Sequence, residues 1–130
     1  MQTKPNRILC VDDDADTCAM LAAFLSQYGY ETDYAGTLEE GLEKAESGVY
    51  SLYLLDLWVR GSKEWELCRC VRELDAITPI IVYSADARKK HDDKLTELNV
   101  QAYLVKPRGL DSLVETVNRL LAKNYSQTFS

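Results

Sequence analysis

Short apolar runs and amphipathic segments alternate along almost the whole of this 130-residue sequence. The apolar runs are nearly continuous and rich in Ile, Val, Leu and Tyr, which is typical of strands buried on both faces of a sheet. They predict strands over residues 8–11, 31–35, 50–55, 79–83 and 102–105. The second run alternates more between apolar and polar residues than the others do, so we expect it at an edge of the sheet.

Between the runs, apolar residues recur at intervals of three and four, which is the spacing of one helical face. These stripes predict helices over residues 18–25, 37–48, 65–74 and 113–121, and a weaker, highly charged helix over 89–98. Thr37 and Glu40 form a capping box, and Gly29 marks a helix end. His91 lies in the charged segment, where we expect it to be solvated.

Five successive strand–helix units with short connections predict a doubly wound α/β fold. This (βα)5 three-layer sandwich has a five-stranded parallel sheet, and the order 2-1-3-4-5 fits best because it places the second strand at an edge. We expect one domain over residues 1–124, followed by a polar C-terminal tail over residues 125–130. A (β/α)8 barrel needs about twice this length.

Composition and charge narrow the function classes. The 15 basic and 21 acidic side chains give a net charge of −6, which would repel a nucleic-acid backbone. No apolar run approaches the ~18 residues of a membrane span, and the N-terminus lacks the apolar stretch of a secretory signal, so we expect a soluble, cytoplasmic protein. The four cysteines are expected to be reduced and to act as small hydrophobic residues rather than as disulfides or zinc ligands. They are Cys10, Cys18, Cys68 and Cys70.

Polar side chains that could take part in catalysis or metal binding follow four of the predicted strands. The binding crevice of an open parallel sheet lies outside the carboxyl ends of its strands, so these residues should share one edge. They are Asp12 and Asp13 after strand one, Asp56 after strand three, Ser84 at the end of strand four and Lys106 after strand five.

Three clustered carboxylates need a positive partner, because like charges close together oppose ionisation. Mg²⁺, or Mn²⁺ in its place, suits carboxylate and phosphoryl oxygens. We take Asp12 and Asp13 as the metal-binding pair and Asp56, alone after the central strand, as the nucleophile for a phosphoryl group. Lys106 adds a positive charge, and Ser84 can donate to a phosphoryl oxygen.

Four motifs in this order resemble the receiver domain of two-component response regulators, which has a flavodoxin-like fold similar to that of the chemotaxis regulator. The resemblance runs from Arg7 to Lys123. The motifs are ILCVDDD at residues 8–14, LLDL at 54–57 followed by Gly61, PIIVYSA at 79–85 and YLVKP at 103–107.

This resemblance implies that Asp56 accepts a phosphoryl group from the phosphohistidine of a sensor kinase or histidine phosphotransfer protein. It implies that Asp13, Asp56 and the backbone carbonyl of Trp58 hold Mg²⁺, with Asp12 acting through water. Lys106 would pair with the phosphoryl group.

Ser84 would move toward that group, and the ring of Tyr103 would turn inward with it. The surface of the fourth helix, fifth strand and fifth helix would then change its contacts with a downstream effector or output domain. The chain could also form a homodimer. The resemblance also implies a cis peptide bond between Lys106 and Pro107.

Three residues depart from the family pattern. Arg60 stands where Pro is usual, so we expect a less rigid loop after Asp56. Trp58 is bulky at a position that controls access of the hydrolytic water and hence phosphoryl lifetime, and Arg108 replaces the usual aromatic residue.

Two alternatives remain beside a signalling phospho-acceptor, which is not a turnover enzyme. A pseudo-receiver would bind partners without phosphorylation. A haloacid-dehalogenase-type phosphatase would need an Asp-x-Asp-x-Thr/Val motif after strand one, whereas residues 12–16 read DDDAD and only Asp111 supplies an acid after Lys106. The chain is either a stand-alone receiver or the N-terminal part of a longer regulator, and Met1 favours a native start.

Overall fold

Strands and helices alternate as the hydrophobic pattern predicts. A computed structural model describes residues 6–87, 91–106 and 110–129, with side chains in the last helix described as far as Ala122. The strands are β1 (Arg7–Val11), β2 (Glu31–Ala35), β3 (Leu52–Leu55), β4 (Ile80–Ser84) and β5 (Ala102–Val105). The helices are α1 (Ala15–Ser26), α2 (Leu38–Ala45), α3 (Glu66–Leu74), α4 (Asp92–Glu97) and α5 (Leu110–Phe129).

The strands form one parallel sheet in the order β2-β1-β3-β4-β5, which confirms the predicted topology. β2 lies at the edge and is only partly buried, as its alternating sequence predicts. Val11 at the end of β1 pairs with Ala35 on one side and Leu55 on the other. The ends of β1 and β3 therefore lie side by side.

Successive residues of the central strands supply two separate cores, one on each face of the sheet. This alternation explains why the strand sequences are almost continuously apolar. One core contains Leu9, Val11, Tyr53, Leu55, Ile80 and Val82 with residues of α2, α3 and α4. The other contains Ile8, Cys10, Leu52, Leu54, Ile81 and Tyr83 with residues of α1 and α5.

Side-chain caps fix the starts of the first two helices. The Asp14 carboxylate accepts hydrogen bonds from the backbone N–H groups of Asp16 and Thr17 and so caps the start of α1. Thr37 caps α2 in the same way through the N–H of Glu40. All four cysteines are free thiols.

Two predictions about burial are wrong. His91 is only 4% exposed, because aromatic residues from distant elements cover it although its sequence neighbours are polar. Leu74, predicted on the apolar stripe of α3, is 49% exposed because it lies in the last turn of the helix.

At the C-terminus, α5 continues through residues 125–129, the segment that we expected to form a tail. The Lys106–Pro107 peptide bond and Arg108 lie outside the described residues. Within the described ranges, no helix has both the length and the apolar character needed to cross a membrane.

Candidate functional site

The acidic residues that follow β1 and β3 meet at the carboxyl edge of the sheet. Each of Asp12, Asp13 and Asp56 offers a carboxylate oxygen, and these oxygens all lie within 4.8 Å of one another. Parallel pairing carries the chain from Val11 and Leu55 directly into this cluster. Asp12 is 3% exposed and accepts a hydrogen bond from the N–H of Asp14.

Lys106 brings a positive charge into the cluster from the end of β5. Its Nζ lies 2.5 Å from Oδ2 of Asp12 and 3.1 Å from Oδ2 of Asp56, so one ammonium joins the two strand ends. The Lys106 backbone N–H also donates to the carbonyl of Ser84. Nζ lies 5.5 Å from the centre of the Tyr83 ring, which adds a cation–π contact.

Burial and charge act in opposite directions on the ionisable groups of this cluster. Burial raises the pKa of Asp56, the nearby charge of Asp12 acts in the same sense, and Lys106 only partly offsets the rise. Burial alone would lower the pKa of Lys106, but its contacts with the two carboxylates raise it overall. Lys106 is thus held as a cation, whereas ionised Asp56 is costly without further positive charge.

Ser84 and Tyr103 lie beside the cluster on β4 and β5. Ser84 is 4% exposed, and its Oγ accepts a hydrogen bond from the N–H of Asp86. Tyr103 is 6% exposed and donates its hydroxyl hydrogen bond to the Asp86 carbonyl at 2.9 Å. Burial raises the pKa of the Tyr103 phenol, and hydrogen bonding to Ser84 acts against that rise. The Tyr103 ring therefore points inward in this structure.

The loop after Asp56 is tied to the start of α2. The carbonyl of Arg60 accepts a hydrogen bond from the N–H of Leu38, and Gly61 adopts a positive φ of 88° that completes the turn. Trp58, two residues after Asp56, is 58% exposed. The ligand role of the Trp58 carbonyl stays a prediction.

Sequence reasoning missed three neighbours of the site. Tyr83 could have been found from its place one residue before Ser84, but its contact with Lys106 depends on side-chain direction. Asp86 and His91 carried no usable signal, because short polar segments between strands and helices are common. Tertiary packing alone brings His91 beside Tyr103.

The acidic cluster fits a magnesium ion by the chemistry of its donors. Mg²⁺ prefers oxygen ligands and binds through one or two carboxylates together with water and phosphoryl oxygens. Three carboxylates meet here with one lysine, which leaves net negative charge for a divalent cation to neutralise. A second group of possible metal ligands, Glu64, Asp86 and His91, lies next to Tyr103 in the described chain.

A family model described as "Response regulator receiver domain" matches residues 8–118. Among curated proteins, the transcriptional regulatory protein ResD of Bacillus subtilis is 35% identical over 127 residues, which is 98% of this chain and 52% of that protein. The transcriptional regulatory protein CusR of Escherichia coli K12 is 30% identical over 117 residues, which is 90% of this chain and 52% of that protein. The chain spans about half the length of these relatives.

Solved structures similar to this chain are also response regulators or their receiver domains. A receiver domain protein described as CheY-like from Methanospirillum hungatei superimposes with a TM-score of 0.87 at 27% identity and covers 95% of this chain and 99% of that one. The response regulator TrrA of Thermotoga maritima, solved in complex with Mg²⁺ and BeF, gives a TM-score of 0.79 at 34% identity. That match covers 89% of this chain and 99% of TrrA.

Proposed function

The chain belongs to the receiver domain family of response regulators, and from this membership we propose that it accepts a phosphoryl group on Asp56 in a magnesium-dependent reaction. The observation that carries the proposal is the meeting of Asp56, Asp12 and Lys106 within hydrogen-bonding distance at the sheet edge. The donor class is the phosphohistidine of a sensor kinase or phosphotransfer protein.

The transfer itself is a simple displacement. A carboxylate oxygen of Asp56 attacks phosphorus, an O–P bond forms and the N–P bond of phosphohistidine breaks, so the electron pair returns to the imidazole. Lys106 stabilises negative charge on the phosphoryl oxygens. Asp12, Asp13, Asp56 and the Trp58 carbonyl would hold Mg²⁺, which supplies further charge neutralisation when bound.

Ser84 and Tyr103 are the proposed switch residues. Movement of Ser84 toward the phosphoryl group would act on the Asp86 backbone, to which both Ser84 and Tyr103 are hydrogen-bonded. A groove of about 610 Å³ lies between α4, β5 and α5, with Tyr103, Leu95 and Val100 in its lining. We propose this α4–β5–α5 face as the contact surface for an effector or output domain.

The chain is proposed to act as a signalling acceptor rather than as a turnover enzyme. It would take up one phosphoryl group and lose it by hydrolysis. The alternative is a pseudo-receiver, a scaffold that binds partners without being phosphorylated. It would use the same α4–β5–α5 face but would need no chemistry at Asp56.

Intact-mass measurement with acetyl phosphate and Mg²⁺ tests the proposal. We expect one phosphoryl adduct on the wild-type chain, its loss in Asp56→Ala and its loss in the presence of a chelator. Asp16→Asn is the matched control, because this exposed carboxylate at the start of α1 lies outside the cluster. A wild-type mass that never changes would favour the scaffold, and continuous turnover of a phosphomonoester would favour a phosphatase.

A further inference from the structure

Three buried rings from separate elements form a contiguous stack beside the switch residues. Trp65 precedes α3, His91 precedes α4 and Tyr103 belongs to β5. The Trp65 and His91 ring centres are 5.3 Å apart in an edge-to-face arrangement, and the His91 and Tyr103 centres are 5.8 Å apart and stacked. None of the three residues exceeds 6% exposure. We call this group the aromatic stack.

Hydrogen bonding fixes the chemical state of the central ring. Nε1–H of Trp65 donates to Nδ1 of His91 at 3.0 Å, so Nδ1 must carry a lone pair and the neutral imidazole carries its proton on Nε2. This Nε2 lies 3.5 Å from Oδ2 of Asp86 but makes no aligned hydrogen bond within the described residues.

The same hydrogen bond argues against a metal ion at this place. His91, Asp86 and Glu64 each offer a ligand atom, and these atoms lie within 4.8 Å of one another. A metal would need a lone pair on Nε2 and therefore a proton on Nδ1. That proton would face the indole N–H of Trp65, and two donors cannot share one hydrogen bond.

His91 contacts Tyr103 directly and faces Asp86, the residue that connects Tyr103 to Ser84. Its ring stacks on Tyr103, and its Nε2 faces the side chain of Asp86. The Asp86 backbone in turn accepts from the Tyr103 hydroxyl and donates to Ser84. The Trp65 hydrogen bond fixes the His91 ring, so Tyr103 meets a fixed surface in its inward position.

We propose that His91 is a positioning residue that holds Tyr103 inward and thereby sets the balance between the two positions of the switch. The effect of His91 on signalling rests on the proposed phosphorylation of Asp56, whereas its effect on the position of the Tyr103 ring does not. An aromatic pair of this kind shifts such a balance roughly 3- to 10-fold.

Two spectra of the unphosphorylated protein test the inference. His91 is the only histidine in the chain, so an imidazole nitrogen spectrum contains a single ring, and we expect the Nε2-protonated tautomer. Fluorotyrosine labelling then reports the exposure of Tyr103, whose signal is identified by its absence in Tyr103→Phe.

We expect His91→Ala to lower the ratio of inward to outward Tyr103 roughly 3- to 10-fold and to shift the Trp65 indole proton signal. His91→Phe keeps a ring against Tyr103 but loses the acceptor for Trp65. It should therefore restore the inward Tyr103 signal without restoring the indole signal, a separation that general destabilisation would not produce.

Leu25→Ala is the control for lost stability, because Leu25 is buried in the core on the α1 side of the sheet. It should destabilise the fold while leaving Tyr103 inward. An unchanged Tyr103 signal in His91→Ala, an equal change in Leu25→Ala, or an Nδ1-protonated ring in the wild type would each overturn the inference. Because no phosphoryl group is present, a failure of Asp56 phosphorylation leaves these readings intact.

Discussion

Lys106 offsets part of the negative charge of the acidic cluster, and its two carboxylate contacts join β1 to β3. The Asp12 side chain is 4% exposed, so it depends on this cation more than the partly exposed Asp56 does. Removal of one partner leaves an uncompensated buried charge, which costs more than the intact pair contributes.

We predict that Lys106→Met lowers the free energy of unfolding by about 2–3 kcal/mol in metal-free buffer. Urea unfolding measures the loss, and Asp12→Asn in the same chain should recover part of it. Lys94→Met is the control, because its pair with Glu97 is exposed and should contribute less than about 0.5 kcal/mol. Equal losses in the two lysine variants would contradict the prediction.

The pKa of Asp75 is lowered in the folded state, in contrast to the raised pKa of Asp56. Burial works to raise its pKa, but hydrogen bonds from Thr78, Ile77 and Tyr53 outweigh burial and lower it. A carboxyl group whose pKa is lower in the folded state than in the unfolded state stabilises the fold at pH values above its unfolded-state pKa. That contribution disappears as the pH falls through the folded value.

We therefore predict that Asp75→Asn is less stable than the wild type by about 1–2 kcal/mol at neutral pH. The difference should begin to shrink below about pH 4, where the unfolded chain takes up a proton at Asp75. It should disappear once the pH falls below the lowered pKa of the folded carboxyl. Urea midpoints at neutral and acidic pH measure it. A difference that stays constant with pH would show that the side-chain amide, rather than the lost charge, causes the effect.

At the scale of elements, the sequence predicts strands and helices well where one hydrophobic period dominates. The continuous runs of β3 and β4 and the stripe of α1 are of this kind, and the 2-1-3-4-5 order follows from the polarity of β2. The charged α4 region has no dominant period, so the burial of His91 could not be predicted. Its partners Trp65 and Tyr103 lie 26 and 12 positions away in the sequence.

At the site too, some features follow from the sequence pattern and others depend on tertiary packing. Strand ends predict which residues share an edge, and the approach of Asp12, Asp13, Asp56 and Lys106 follows from that rule. Side-chain contacts within the edge depend on rotamers and packing, which sequence spacing does not encode. The hydrogen bonds of Ser84 and Tyr103 to Asp86 belong to this second class.

Close packing of α2 on β1 gives a prediction for an element interface. A Cβ added at Gly41 would lie 3.1 and 3.2 Å from the two methyl groups of buried Val11, which is tighter than ordinary contact. Gly41→Ala should lower the free energy of unfolding by about 1–2 kcal/mol despite the better helix propensity of alanine. The double variant with Val11→Ala tests the cause, because it removes the methyl groups that clash.

If packing is the cause, the double variant loses less stability than the sum of the two single variants. Additive losses would mean that the added methyl group acts elsewhere. Glu43→Ala, on the exposed side of α2, provides a comparison that changes helix propensity without changing packing.

At the scale of the whole molecule, topology gathers charges that lie far apart in the chain. Lys106 and Asp12 are separated by 94 positions and meet only when β1, β3, β4 and β5 are all paired. An ion that binds this cluster binds the folded chain and not the unfolded one, so it must stabilise the whole fold. The net charge of −6 also attracts cations to other parts of the surface, and a test must separate the two effects.

We predict that Mg²⁺ at about 100 times its dissociation constant raises the free energy of unfolding by about 2.7 kcal/mol. Asp13→Asn should abolish this gain, whereas Asp16→Asn should keep it. Both side chains are exposed near the start of α1 and both variants lose one negative charge, so the general attraction of cations changes equally. Urea unfolding with and without a chelator measures the gain. If Asp13→Asn retained it, the stabilising ion would be bound outside the acidic cluster.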